Sequence, residues 1–370
     1  MRIAWDGRGL VGPRTGLGFY TYRLIKAFES LQEDWSADLF TNQTVEESWS
    51  DRVQPIVLPY PNTVRLRRFW EETWLPSRLA RTKADIWHSP LSCVPAKISI
   101  PTIATIHDVA FLHYPEILPP AYRKYWTRQV SSACERADAL IAVSEATRDD
   151  LLHFFDIPDD RIHVVYEAAD PLYFETPEGE NRVLLTRDYG LDADYLLFVG
   201  TLEPRKNLRF LLDVYREALS QKENLPTLVI VGGKGWLEPT LEMEIERLGN
   251  SVLRLGYVDP EKLHALYRNA RVVLVPSRYE GFGLQAAEAL ASGAAVIAAN
   301  LSSLPEVVGD GGLLLPLDQE VWVENILELN ENDEAVSRLQ KAAREQAAKF
   351  SWSKTAQETW EVFTSVLDHH

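Results

Sequence analysis

Val272-Val273-Leu274-Val275-Pro276-Ser277-Arg278-Tyr279-Glu280-Gly281-Phe282-Gly283-Leu284 decides how this chain folds. The apolar run at 272–276 is too short for a buried helix and is closed by proline and serine, so it reads as a strand buried on both faces. A glycine-rich loop follows. The alanine-rich run after Leu284 then reads as a helix to Ser292, with Gly293 as its stop. Strand, glycine loop and helix make the repeating unit of a parallel sheet covered by helices.

The same alternation extends in both directions. Towards the amino end strands are predicted at 195–200, 227–232 and 252–256, and one more follows at 295–299. The first half has its own set, at 3–5, 38–41, 55–58, 85–88, 102–107, 139–144 and 162–166. The expected fold class is therefore α/β, with two doubly wound Rossmann-like domains at 1–175 and 190–350. Residues 171–194, with Pro171, Pro177 and Gly179 and no strong apolar period, read as the connection between them. The last stretch, 351–370, carries an amphipathic helix with Trp360 and Phe363 that is expected to return to the first domain. Ligands in such sheets sit beyond the carboxyl ends of the strands, so a central cleft between facing domains is expected.

Composition narrows the function. A chain of 370 residues, 46% hydrophobic, suits two globular domains. Its 38 basic and 54 acidic residues leave a formal charge of −16, which argues against wrapping nucleic acid. Cys93 and Cys134 are the only cysteines, so neither a disulfide framework nor a structural zinc site is expected. No apolar run approaches the ~20 residues of a membrane span, and residues 1–5 read as a strand rather than a leader. A cytoplasmic protein is expected, soluble or peripheral at the membrane face.

Chemistry concentrates after strands. Gly281 and Gly283 let backbone N–H groups approach a ligand, and the following helix N-terminus suits a phosphate. Glu288 stands among Ala286, Ala287, Ala289 and Ala291, where close packing would require hydroxyl donors such as a ribose diol. An ordinary exposed helix glutamate explains its spacing equally well. Glu280 could accept from sugar hydroxyls or stand in solvent. Arg205 and Lys206, adjacent cations at a helix start, are unfavourable there unless an anion compensates them.

Glu280 and Glu288, separated by seven residues with Gly-Phe-Gly-Leu among them and Glu-Ala-Leu-Ala-Ser-Gly following, resemble the signature of retaining glycosyltransferase family 4. The similarity extends over nearly the whole chain, and the bacterial mannosyltransferase branch is the nearest match. The resemblance implies the GT-B fold and a nucleotide diphosphate sugar as donor. It places Glu288 on the donor ribose, Glu280 on the transferred sugar, and Gly281, Phe282, Gly283 and Leu284 along sugar and phosphate. Arg205 and Lys206 would hold the pyrophosphate, and Tyr257 and Val258 would flank the base. From the first domain, Gly16 and Gly18 would immediately precede a helix starting near Phe19, with their amides at the cleft. His107, in Thr-Ile-His-Asp, would lie near the sugar. Ser144 reads either as a site residue or as a helix N-cap, and His88 is a secondary candidate.

What the resemblance implies is a retaining hexosyltransferase that needs no metal and no cofactor. It would move mannose from GDP-mannose, with a UDP-sugar as second choice, to a hydroxyl of a glycan or lipid-linked acceptor in bacterial polysaccharide synthesis. Gly7-Arg8-Gly9-Leu10-Val11-Gly12 matches the dinucleotide fingerprint and supports a rival, an NAD-linked oxidoreductase, although no helix is expected to open on Gly12. A nucleotide-sugar-binding module without turnover is a second rival. Asp192-Ala193-Asp194 has the D-x-D form of a metal site but precedes a strand, so it reads as surface. From Arg65 to Lys83, arginines alternate with Phe69, Trp70 and Trp74, a pattern suited either to a membrane surface or to a helix with an aromatic core face.

Overall fold

The computed structural model describes residues 1–12, 16–59, 64–175, 181–191, 194–235 and 239–370. The chain divides into two compact units, Met1–Glu167 with Ser351–His370, and Ala168–Phe350. Each is built on one parallel sheet.

In the first unit the strands are β1 (Arg2–Asp6), β2 (Ser36–Thr41), β3 (Val53–Val57), β4 (Ile86–Ser89), β5 (Thr102–Ile106), β6 (Ala139–Ala142) and β7 (Ile162–Val164). Their order is β3-β2-β1-β4-β5-β6-β7, with every pairing parallel. β4, β5 and β6 are buried along their whole length, as a sheet covered on both faces requires. The helix Trp352–Asp368 closes this unit. Phe363 inserts against the rings of Phe28, His88 and Trp5, and Thr355 Oγ1 donates to the Tyr166 carbonyl at 2.7 Å.

The second unit holds β8 (Tyr195–Val199), β9 (Thr227–Val231), β10 (Val252–Gly256), β11 (Val272–Val275), β12 (Val296–Ala299) and β13 (Leu313–Leu315). The order β10-β9-β8-β11-β12-β13 reverses direction at the β8/β11 pair, and all pairings are again parallel.

Each expected strand has a counterpart, and four expectations change. β13 was not anticipated, because three leucines between Gly312 and Pro316 are too few to show a period. The first unit ends at Glu167 rather than at 175. Asp170 caps the turn Pro171–Phe174, and Tyr173 packs its ring on His264 and Tyr267 of the second unit, which claims this segment. The connection also contains a helix, Asn181–Tyr189, whose weak amphipathicity hid it. Finally, the helix expected near Phe19 begins at Gly16, so Gly16 and Gly18 lie inside its first turn. Gly18 is buried there, where the loop at Gly9 comes so near that a Cβ on Gly9 would lie 3.4 Å from the Gly18 Cα.

Candidate active site

The order reversal in the second sheet leaves a crevice between the carboxyl ends of β8 and β11, the usual ligand position in such sheets. The loops on its two sides carry the candidate residues. After β8, Pro204–Lys206 form one turn of 3-10 helix, and Asn207 in the left-handed conformation (φ 58°) redirects the chain into the helix Leu208–Gln221. That turn points Lys206 inward, where it is buried. After β11, Gly283 at φ 100° caps the helix Leu284–Ala291, a conformation that favours glycine. The Arg278 N–H donates to the Arg205 carbonyl at 2.8 Å and ties the two loops together.

Glu280 is the hub. Lys206 Nζ donates to its Oε1 and Arg205 Nη1 to its Oε2, each at 2.6 Å. Gln285 Nε2 adds a third bond to Oε1 at 2.6 Å. The Glu280 backbone is held as firmly, its N–H on Ser302 Oγ at 2.9 Å and its carbonyl accepting from Ser303 Oγ at 3.0 Å. Arg205 Nη2 also pairs with Glu203 at 2.7 Å. Burial alone would raise the Glu280 carboxyl, but Lys206 and Arg205 overcome it and hold the group at about 2. Burial in turn pulls the Lys206 ammonium below its ordinary value, against the attraction of Glu280.

Glu288 has the opposite environment. Burial pushes its carboxyl up to about 8, helped by Asp170, while the Tyr267 hydroxyl, donating to Oε2 at 3.1 Å, and Lys206 act in the other direction. Tyr173 stands edge-on to Tyr267 beside it. Farther along the same sheet edge, Tyr257 is 78% exposed and Val258 is buried. A Cβ on Gly232 (φ 145°) would lie 2.0 Å from the Gly200 carbonyl oxygen, so the backbones after β8 and β9 touch.

The structure thus brings Arg205, Lys206 and Glu280 into direct contact, puts Gly281, Phe282 and Gly283 on the same loop as Glu280, and sets Leu284 and Glu288 on the helix that follows. Glu203, Gln285, Tyr267, Ser302 and Ser303 were missed in the sequence. Only Ser302-Ser303, small hydroxyl residues just after β12, carried a signal that a strand-end search could have found.

His107, Gly16 and Gly18 belong to the first unit. His107 follows β5, with Nδ1 on Glu167 at 2.8 Å and Nε2 on the Pro90 carbonyl at 3.1 Å. The Glu167 carboxylate and the Pro90 carbonyl thus fix the ring's orientation. Tyr20 packs edge-on against the ring. His88 is buried between Trp5 and Thr105, and burial, reinforced by His107, drives it down to about 3, which keeps it neutral. Ser144 is an N-cap, accepting from the Thr147 N–H at 3.0 Å.

The residues after Gly7 form the turn Arg8–Leu10 and no helix opens on Gly12, so the dinucleotide fingerprint lacks its structural partner. Asp194 pairs with Arg271 at 3.2 Å, while Asp192 and Ala193 lie outside the described residues. Among the described residues, no cluster of histidine, cysteine, aspartate and glutamate has the arrangement of a metal site. In the basic segment, Trp70 is buried and donates to the Leu58 carbonyl, whereas Phe69 and Trp74 are about half exposed. The Arg65 and Arg68 side chains lie outside the described residues. No described helix is long and apolar enough to cross a membrane.

Residues 14–171 match Glycosyltransferase Family 4 and residues 188–346 match the glycosyl transferases group 1 family. A D-inositol 3-phosphate glycosyltransferase of Corynebacterium glutamicum (strain R) is 30% identical over 314 residues, covering 80% of this chain and 71% of that one. The chain is a family 4 glycosyltransferase. An O-antigen chain mannosyltransferase B of Escherichia coli is 29% identical to the enzyme over 381 residues, 97% of this chain and 98% of that one. The glycosyltransferase also shares its fold with sucrose-phosphate synthase from Thermosynechococcus elongatus (TM-score 0.80, 21% identity, all of both chains). Anabaena HepE in complex with UDP-glucose is similar too (TM-score 0.74, 20% identity, 99% of this chain and 100% of that one). Two parallel-sheet Rossmann-like domains are the architecture of GT-B glycosyltransferases. The oxidoreductase reading of Gly7 to Gly12 is set aside by this membership.

Proposed function

We propose that the glycosyltransferase transfers mannose from GDP-mannose to a hydroxyl of a glycan or lipid-linked saccharide in bacterial polysaccharide assembly, with retention and without a metal ion. The observation that carries the donor reading is the grip of Arg205 and Lys206 on the Glu280 carboxylate at the β8/β11 crevice. Two cations held by the fold beside a helix N-terminus suit a diphosphate. They supply the positive charge that a divalent ion would otherwise bring to the leaving group. Glu288 beside Tyr267 suits a ribose diol, whose hydroxyls would provide donors to a carboxylate short of them.

In the proposed reaction the bond from the sugar C1 to the β-phosphate oxygen breaks, and the acceptor oxygen bonds to C1 on the same face. The acceptor proton passes to the departing phosphate. Glu280 positions the sugar and forms no covalent bond to it. Retention rests on the family resemblance, and the mannose assignment on the name of the E. coli relative. A UDP-sugar is the alternative donor. A cytoplasmic location fits a soluble donor of this kind.

Thermal melts with GDP, UDP, ADP and their sugars test the donor. Ligand at ~100 times its dissociation constant adds roughly 2.7 kcal/mol of stability. A shift with GDP-mannose beyond that with UDP-sugars is expected, and no shift with any nucleotide would overturn the reading. NMR of the product anomer and assays in EDTA test retention and metal independence.

A further inference from the structure

The amino edge of the second sheet carries a separate cluster of charge. The helices Pro260–Asn269 and Leu284–Ala291 precede β11 and β12, so their last turns lie at the edge opposite the β8 and β11 loops. Arg268, Ser292, Lys341 and Arg344 line a cavity of about 550 Å³ there, with Glu345 also on its wall. Arg344, from the helix Asp333–Ala347, lies across the backbone of Gly293 so closely that a Cβ at that glycine would fall 2.4 Å from its Nε.

The three cations are left unpaired by the one carboxylate on the cavity wall. Among the described residues none of their side chains makes a hydrogen bond or ion pair, even to Glu345. Burial and the neighbouring Arg344 guanidinium both pull Arg268 below its ordinary value. Ser292 is buried, its Oγ has no hydrogen-bond partner, and it borders the same cavity. Helix macrodipoles favour a cation near each of these helix ends, yet no guanidinium donates to a terminal carbonyl. Exposed Lys341 and Arg344 and half-buried Arg268 set like charges around one cavity without a protein partner for their side chains, an arrangement that a tetrahedral oxyanion satisfies.

We propose that Arg268, Lys341 and Arg344 form a second oxyanion site, for a phosphate group, on the sheet edge opposite Arg205 and Lys206. The site is independent of the donor assignment. Its ligand is a soluble phosphate ester or the headgroup of an anionic phospholipid.

Titration calorimetry of the full chain with inorganic phosphate tests it. The donor loops are unaltered throughout, so any phosphate they hold is common to every sample. In Arg268→Gln/Arg344→Gln the stoichiometry is expected to fall by one phosphate per chain, while Arg344→Lys retains that phosphate. Without phosphate the double variant is expected to melt no lower than the parent, because a repulsion has been removed, so lost binding will not reflect lost folding. Unchanged stoichiometry and affinity in the double variant would overturn the proposal, as would absence of phosphate binding in the parent. Sedimentation with phosphatidylcholine vesicles containing phosphatidylglycerol separates the sources. Vesicle binding that requires Arg268 and Arg344 assigns a lipid headgroup, and phosphate binding without it assigns a soluble ester.

Discussion

Lys206 Nζ and Glu280 Oε1 lie 2.6 Å apart, both side chains almost wholly withdrawn from water, although they come from loops 74 residues apart in sequence. Arg205 and Gln285 complete the ring of donors around this carboxylate. A buried charge pair is costly unless further hydrogen bonds support it, and here Arg205 and Gln285 supply them to the carboxylate. In the free enzyme Glu280 therefore holds the cations that the proposed diphosphate would engage.

Lys206→Ala is expected to lower kcat/KM by ~100-fold or more, the scale seen when one preorganised charge facing a transition state is lost. Steady-state kinetics with the donor found in the melting panel check this. The fold should survive, because Arg205 and Gln285 still pair with Glu280. A loss below tenfold would remove Lys206 from the proposed phosphate grip.

Glu280→Gln should separate binding from transfer. Neutralising the internal carboxylate frees Arg205 and Lys206, so the nucleoside diphosphate is expected to bind at least as tightly as in the parent, while transfer falls by ~100-fold or more. Calorimetry and product assays on the same preparation decide. Weaker diphosphate binding would mean that the carboxylate supports the anion site.

Glu288 predicts a pH dependence of opposite sign to the usual carboxylate. Its folded pKa is raised to about 8, chiefly by burial, so the folded state keeps a proton that the unfolded chain loses near pH 4.5. The stability this group contributes is present below that pH and declines as pH rises towards about 8. Glu288→Gln should therefore lose less stability than the parent between pH 5 and 8, measured by melting at each pH. Donor hydroxyls favour the carboxylate, so donor affinity of the parent should rise between pH 6.5 and 8.5 while that of Glu288→Gln stays weak and flat. A parallel pH profile in the two proteins would exclude this role.

Phe69 and Trp74 form an exposed edge-to-face pair, with centroids 5.8 Å apart, in the segment that also carries Arg78 and Arg81. If this face meets a membrane, Arg78→Gln/Arg81→Gln should reduce sedimentation with anionic vesicles, and Phe69→Ser/Trp74→Ser should reduce it further. Indifference of the parent to anionic lipid would end the idea. Trp70 is no part of this test, being buried against the Leu58 carbonyl.

By itself the sequence determined the class of fold and the address of the site. Runs such as 272–276 and 295–299 are apolar throughout because a parallel sheet is covered on both faces, and the Gly281–Gly283 turn marks where a strand yields to a helix. Those are local properties, legible residue by residue. Tertiary structure alone decided that Glu280 stands between Arg205 and Lys206, that Tyr267 faces Glu288, and that Tyr173 belongs with the second unit. It also decided the opposite protonation tendencies of the two glutamates. Both are half-apolar neighbours of a glycine loop in sequence, but desolvation and charge fall off with distance in space, and the β8 and β11 loops become neighbours only when the sheet order places those strands side by side.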